Sequence, residues 1–137
     1  MKEDLKFLDW IFKHESEIAK TVETIRRREI SIFNNSHLHD PTASEALRTL
    51  FMINAVKIDG RKIHSPDKWL EVISATYESA KLKNQKVFEI AKSRYRNSEY
   101  CWTTQLKKLI GRKTYYRLLT VFLKIAQREA RRVFEGG

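Results

Sequence analysis

The chain has 137 residues, of which 42% are apolar, so it fits one compact domain with a modest core, or such a domain with a helical arm. Only 4 glycines and 2 prolines occur, which argues against the many turns of an all-β fold. The single cysteine excludes an internal disulfide, and the absence of an apolar stretch of roughly 20 residues argues against a membrane-spanning protein. The net charge is +10, and residues 103–137 alone hold 9 basic and 2 acidic side chains, which indicates a polyanionic partner, nucleic acid before an anionic membrane.

Residues 3–29 contain neither glycine nor proline, and apolar side chains recur in them at spacings of three and four residues. This spacing is typical of one amphipathic helix. The apolar positions are Leu5, Leu8, Ile11 or Phe12, Ile18, Val22 and Ile25. Glu15 interrupts the stripe, and the polar segment Phe33-Asn34-Asn35-Ser36 predicts the end of the helix. We assign residues 1–35 to an N-terminal helix for oligomerisation or partner contact, and residues 36–137 to a helical domain.

The middle of the chain carries signals for three more helices. Asp40-Pro41 predicts a helix start, because aspartate can cap free N–H groups and proline suits the first helical position. Asp59-Gly60 predicts the end of that helix, since glycine tolerates the left-handed conformation that often follows a last turn. Ser65-Pro66 predicts the next start, and Asn84 predicts a break before a shorter helix that ends at Asn97-Ser98.

The last quarter of the chain predicts a short helix, Gln105 to Ile110, and a long helix from Arg112 to about Phe134, with a bend at Gly111. Leu106, Leu109 and Ile110 are expected to face inward. At 100° per residue, the long helix has two opposite faces. The apolar face comprises Tyr115, Leu118, Leu119, Phe122, Ile125, Ala126 and Val133. The opposite face comprises Lys113, Arg117, Thr120, Lys124, Arg128 and Arg131.

A short helix, a bend at a glycine and a second helix with a cationic outer face form the pattern of a helix-turn-helix. In this motif the second helix places its first turns in the major groove, where base edges differ in donors and acceptors. The side chains expected to reach bases are Arg112, Lys113, Thr114, Tyr116 and Arg117. Those expected to hold backbone phosphates are Thr103, Thr104, Lys107, Lys108, Lys124 and Arg128. The alternative structure for the same residues is a packed helical hairpin with an ordinary solvated face.

Three segments carry a resemblance to a known family. Asp40-Pro41-Thr42-Ala43 opens a mid-chain helix, Lys86-Val87-Phe88-Glu89-Ile90 precedes Arg94-Tyr95, and Gly111-Arg112-Lys113-Thr114-Tyr115-Tyr116-Arg117 opens the final helix. Together they resemble the RinA/ArpU group, phage-encoded activators of late transcription with a sigma-factor-like C-terminal end. In that group a pattern Ser-x-x-Thr-Tyr/Phe-Tyr-Arg usually opens the last helix, and Gly111 takes the place of the serine here. The resemblance implies a DNA-binding transcriptional regulator of a phage or prophage, without a cofactor, whose N-terminal helix is a candidate for dimerisation or for contact with RNA polymerase.

Two other functions fit the same residues. A small DNA-recognition subunit of a phage packaging machine also joins a basic helix-turn-helix to a helical oligomerisation region. A helical adaptor would instead lay the basic final helix on an anionic membrane or an acidic protein. The sequence has no glycine-rich phosphate loop and no trustworthy nucleophile–base order, so we expect no enzyme. We also expect no metal site, because His37-x-His39 without cysteine usually just faces water, and a cytoplasmic location, because Cys101 stands alone.

Overall fold

The computed structural model describes residues 3–36, 53–96 and 108–136, without the side chains of 30–36. Within these ranges the chain is mostly helical, which confirms the predicted all-α class with a long final helix. In chain order the elements are α1 (Glu3–Lys13), α2 (Glu15–Ser36), β1 (Ala55–Ile58), β2 (Arg61–His64), α3 (Pro66–Lys83), α4 (Gln85–Tyr95) and α5 (Arg112–Glu135). In the described part, every helix is too short or too polar to cross a membrane.

The chain divides into two compact units, one formed by Met1–Lys13 with Glu71–Gly137 and the other by His14–Leu70. In the first unit, α5 packs against α1 and α4. Its centre is aromatic, with the ring of Phe122 5.0 Å from that of Phe12 and 5.3 Å from that of Tyr77. Leu119, Leu123 and Ala126 of α5 are also fully buried there. The predicted division into residues 1–35 and 36–137 stays a prediction.

The N-terminal segment forms two helices where the sequence predicted one. His14 separates α1 from α2, and its carbonyl oxygen accepts a hydrogen bond from the Ile18 N–H at 2.9 Å. The break lies beside Glu15, the residue that interrupts the apolar stripe. The expected loop at 33–36 is also wrong, because α2 continues to Ser36. Most of the predicted apolar positions are confirmed: Leu5, Leu8, Ile11, Phe12, Ile18 and Val22 are buried, and Ile25 is half-buried.

The second unit contains a β-hairpin that the sequence analysis did not predict. The expected mid-chain helix would end at Asp59-Gly60, but residues 55–58 form β1 and pair antiparallel with β2. Asp59 and Gly60 both have positive φ, 48° and 78°, which is the conformation of a two-residue type I′ turn. The start of that expected helix, at Asp40-Pro41, lies outside the described residues.

Contacts at both ends hold the hairpin in the second unit. Asn54 accepts a hydrogen bond from the Ser65 N–H at 2.8 Å, which closes the open end of the hairpin. The turn carboxylate of Asp59 lies 3.8 Å from the His14 ring nitrogen, and β1 contacts α2. The Arg26 guanidinium of α2 also forms an ion pair of 2.6 Å with Asp67, in the first turn of α3.

Two predicted helix boundaries are confirmed. Helix α3 begins at Pro66, directly after Ser65. The Asn84 side chain caps α4 by accepting hydrogen bonds from the backbone N–H groups of Lys86 and Val87. The inward orientation of Leu109 was wrong, because 79% of this residue is exposed. Ile110, about 100° further round the helix, is half-buried in its place.

Candidate nucleic-acid interface

Helix α5 separates an apolar face from a cationic face, as its sequence predicted. The buried residues are Tyr115, Leu119, Phe122, Leu123, Ile125, Ala126 and Val133. Leu123 was missing from the predicted face, and Leu118 is only half-buried. The apolar side of α5 is therefore covered by the rest of its unit.

The opposite side of α5 carries five exposed cations, which we call the α5 stripe: Lys113, Arg117, Lys124, Arg128 and Arg131. At 100° per residue they fall within a sector of about 60°, and at 1.5 Å per residue they extend over about 27 Å. Among the described residues, no acidic side chain forms an ion pair with any of the five. The acid on this helix that is paired, Glu129, binds Arg132 at 2.8 Å and lies off the stripe. The stripe thus has no ion-paired acid within the described part of the protein, and the exposed Glu135 falls in the same sector one turn beyond Arg131.

The predicted site residues on α5 lie together at the start of that helix. Arg112, Lys113 and Arg117 are exposed, and Thr114 and Tyr116 are half-buried. The Arg112 guanidinium lies 5.9 Å from the centre of the Tyr116 ring. Thr120, the one uncharged member of the predicted polar face, is half-buried and donates its hydroxyl hydrogen bond to the Tyr116 carbonyl oxygen at 2.8 Å.

The predicted phosphate contacts are only partly described. Lys124 and Arg128 lie on the α5 stripe, and Lys108 is exposed in a helical stretch, residues 108–110. Thr103, Thr104 and Lys107 lie outside the described residues. So does most of the predicted first helix of the helix-turn-helix, Gln105 to Ile110, and the motif therefore stays a prediction.

The start of α5 is electrostatically unusual. Gly111 precedes it with φ 83° and ψ 146°, no side chain caps it, and its first turn contains no acidic residue. Arg112 and Lys113 occupy that turn instead. Because a helix N-terminus carries a partial positive charge, cations there are unfavourable and an anion is favourable. A phosphate group bound at this end would relieve the repulsion.

A polar cluster joins α5 to α1 and α4 near this end of the helix. The Asp9 carboxylate accepts hydrogen bonds from Arg94 Nε at 3.1 Å and from the Tyr95 hydroxyl, and it lies 3.2 Å from Lys13 Nζ. Arg94 Nη1 also donates to the Tyr115 hydroxyl at 3.4 Å. Tyr115 is the first fully buried residue of α5. The cluster therefore fixes the rotation of α5 at the turn that carries the predicted base-contacting residues.

Burial and charge shift the ionisation of this cluster in consistent directions. Burial alone would raise the pKa of Asp9, but hydrogen bonds from Arg94 and Tyr95 and the charges of Arg94 and Lys13 outweigh it and lower that pKa below 3.8. Burial would lower the pKa of Arg94, yet its bonds to Asp9 and Tyr115 raise it. Burial and the neighbouring Asp9 carboxylate both raise the pKa of Tyr95. Asp9 and Arg94 are charged and Tyr95 is neutral across the neutral pH range.

This cluster was not predicted from the sequence, although the sequence contains a signal for it. Asp9 lies between Leu5, Leu8 and Phe12 at spacings of four, one and three, which places an acid on the apolar face of α1. A charge at a core position usually requires a buried partner. Sequence periodicity cannot name that partner, because Arg94 lies 85 residues away.

The described residues contain no group of three or more His, Cys, Asp or Glu side chains placed to share a metal ion. His37 and His39 lie outside the described residues. No family model, no curated protein and no solved structure matches the chain.

Proposed function

We propose that this protein is a DNA-binding transcriptional regulator of the phage or prophage type, which reads duplex DNA with its C-terminal helices. The observation that carries the proposal is the α5 stripe: a line of exposed cations, unpaired within the described residues, on a helix whose other face is buried. Duplex DNA presents one phosphate charge per about 1.7 Å of axis, so such a line of cations can contact several phosphates at once. RNA polymerase and a second copy of the chain are further candidate partners.

The first two turns of α5 are the part proposed to enter the major groove. Arg112, Lys113 and Arg117 project to solvent there. An arginine that forms two hydrogen bonds with guanine contributes about 1–3 kcal/mol of discrimination against other bases. Lys124, Arg128 and Arg131 lie further along and supply phosphate contacts, which add affinity without reading sequence.

The adaptor alternative is less well supported. A helix that lies on a membrane inserts its apolar face among the lipid chains. Tyr115, Leu119 and Phe122 are fully buried inside the protein, so the apolar face of α5 is already occupied. The packaging-subunit alternative uses the same DNA surface and differs only in assembly.

Binding to duplex DNA across a salt series tests the proposal. We expect the logarithm of the affinity to fall linearly with the logarithm of the salt concentration between about 50 and 200 mM. The double variant Lys113→Ala/Arg117→Ala should bind about tenfold more weakly or worse and reduce the slope by about 2, because each cation releases roughly one counterion.

A matched control removes two cations elsewhere. Lys81 and Lys83 are exposed at the end of α3, away from α5 in sequence, and Lys81→Ala/Lys83→Ala should leave the slope almost unchanged. Absence of binding at low salt would reject the proposal. Equal losses in the two double variants would show that net charge, and not the α5 stripe, determines binding.

A further inference from the structure

The β-hairpin of the second unit has one apolar and one cationic face. Val56, Ile58 and Ile63 alternate onto one face and are buried. The other face, which we call the hairpin outer face, consists of Ala55, Lys57, Lys62 and His64. Lys57, Lys62 and His64 are exposed. The sheet therefore uses one side for the core and presents a positively charged side to solvent.

Lys57 and Lys62 are direct cross-strand partners in the hairpin register. Side chains opposite one another on an antiparallel pair lie about 5 Å apart at Cβ, and like charges there destabilise the pair. Within the described ranges, neither lysine forms an ion pair with an acidic side chain. A hairpin of two four-residue strands has little stability to spare. The lysine pair is unfavourable for the hairpin alone and becomes favourable when an anion lies between the two ammonium groups.

We propose that the hairpin outer face is a second DNA-binding surface, which holds backbone phosphates of the duplex through Lys57 and Lys62. A two-stranded ribbon is narrow enough to lie along a DNA groove. A phosphate oxygen bridging two ammonium groups removes their repulsion, so binding also stabilises the ribbon. Lysine contacts phosphate as a point charge, so this surface adds affinity and salt dependence without reading sequence. The inference rests on the proposed DNA-binding function but uses residues that the α5 stripe does not include.

The variant Lys57→Glu separates binding from folding. It places a carboxylate opposite Lys62, so the cross-strand pair changes from repulsive to attractive and the protein should melt at the same temperature or higher. It also removes one phosphate contact and adds a charge that repels the next. One phosphate contact accounts for about 0.9 in the slope of the logarithm of affinity against the logarithm of salt concentration. The loss of one contact should therefore lower the affinity for duplex DNA at about 0.1 M salt at least about eightfold.

The matched control is Lys86→Glu. Lys86 is exposed in the first turn of α4, where an acid is also favourable for the helix, and the substitution changes the net charge by the same amount. We expect it to weaken binding by no more than about twofold, because Lys86 belongs to neither proposed surface and acts on the DNA only through screened solvent. The full-length chain is used throughout, with a 20-base-pair duplex and, in parallel, anionic phospholipid vesicles.

The expected result is a stable Lys57→Glu protein with weaker DNA binding and a reduced salt slope, next to a near-normal Lys86→Glu protein. Equal DNA affinity of the Lys57→Glu and Lys86→Glu proteins would overturn the hairpin surface. If the Lys113→Ala/Arg117→Ala protein still loses affinity in that case, the proposed function remains intact. Failure of the unaltered protein to bind DNA would overturn both. Loss of vesicle binding with unchanged DNA binding in Lys57→Glu would assign the surface to a membrane and also overturn the inference.

Discussion

A single carboxylate, Asp9, organises the polar contacts around the start of α5. It accepts hydrogen bonds from Arg94 and Tyr95 of α4 and forms an ion pair with Lys13 of its own helix. Arg94 in turn reaches the Tyr115 hydroxyl on α5. Removing one partner of a buried ion pair leaves the other charge without compensation, which costs about 3 kcal/mol. Asp9 is therefore the residue whose loss most directly loosens the contact between α1, α4 and α5.

The pH dependence of stability follows from the same cluster. The pKa of Asp9 is lower in the folded protein than its ordinary 3.8, so the carboxylate stabilises the fold fully above that value and loses its contribution as the pH falls through the folded pKa. The pKa of Tyr95 is raised above 10.0, so its contribution is complete below pH 10.0 and declines at higher pH, where the unfolded chain ionises first. Melting temperatures should thus be highest between these limits.

The variant Asp9→Asn provides the control for the acid limb. It should melt at a lower temperature than the unaltered protein at pH 7. The difference between the two should shrink as the pH falls below about 4, because the carboxylate of the unfolded chain takes up a proton first and that of the folded protein follows at lower pH. Thermal melting followed by circular dichroism over pH 2–7 measures this. A difference that stays constant down to pH 2 would contradict the assigned role of Asp9.

Local patterns predicted most of the helices but not the contacts between them. The apolar stripe of α5, the Ser65-Pro66 start and the Asn84 cap depend on neighbouring residues alone. The Asp9–Arg94 pair depends on a chain reversal that brings together residues far apart in sequence. A period of 3.6 residues shows which side of a helix is buried, but it does not show what covers that side.

At the scale of elements, the hairpin shows where a periodic pattern becomes ambiguous. Val56 and Ile58 extend the apolar rhythm of the preceding residues, and four residues are too few to distinguish a period of 2 from one of 3.6. Asp59-Gly60 supports either a helix end or a type I′ turn. The alternation after the turn, with Lys62 exposed, Ile63 buried and His64 exposed, is the signal that favours the hairpin. A turn dipeptide therefore has to be interpreted with the residues on both of its sides.

The junction before α5 also departs from what a helix start usually requires. A capping side chain such as serine is usual at the position directly before a helix. Gly111 occupies this position before α5 with φ 83° and ψ 146°, a conformation that only glycine adopts readily. Nothing lies within 4 Å of the position that a Cβ would take, so the restriction comes from the backbone alone. Glycine therefore fits this backbone without strain, and it offers no side chain to cap α5.

The same substitution at two glycines tests this conclusion. Gly111→Asn should reduce the free energy of unfolding by about 1–3 kcal/mol, because its ψ lies outside the left-handed helical region that asparagine tolerates. Gly60→Asn should cost well under about 1 kcal/mol, since φ 78° in a type I′ turn suits asparagine and the site is equally open. Urea denaturation of both variants measures the two costs. Equal costs would mean that the backbone at Gly111 relaxes.

At the scale of the whole molecule, the net charge of +10 is unevenly distributed along the chain. The α5 stripe and the hairpin outer face both present cations that are unpaired in the described part of the protein. A protein of this charge attracts polyanions from a distance, and salt screens that attraction. Function therefore has to be separated from general charge by variants that keep the charge equal, as in the two controls above.

Assembly distinguishes the leading function from the packaging-subunit alternative. A regulator predicts a monomer or a dimer, with the N-terminal helices as the candidate contact, whereas a packaging subunit predicts a ring. Light scattering coupled to size-exclusion chromatography measures the mass directly, and we expect one or two times 16.3 kDa. A closed ring of many copies would favour packaging, and this result would not affect the DNA-binding surface itself.

The attachment of α5 to α1 and α4 has a thermodynamic consequence for recognition. Many basic segments are disordered until they meet nucleic acid and then lose conformational entropy as they fold. Here the helix is packed on an aromatic centre, and the Arg94–Tyr115 hydrogen bond links it to α4. Its cations are carried on a backbone that is already ordered, so under the proposed function their contacts would require ordering of the side chains but no folding of the helix.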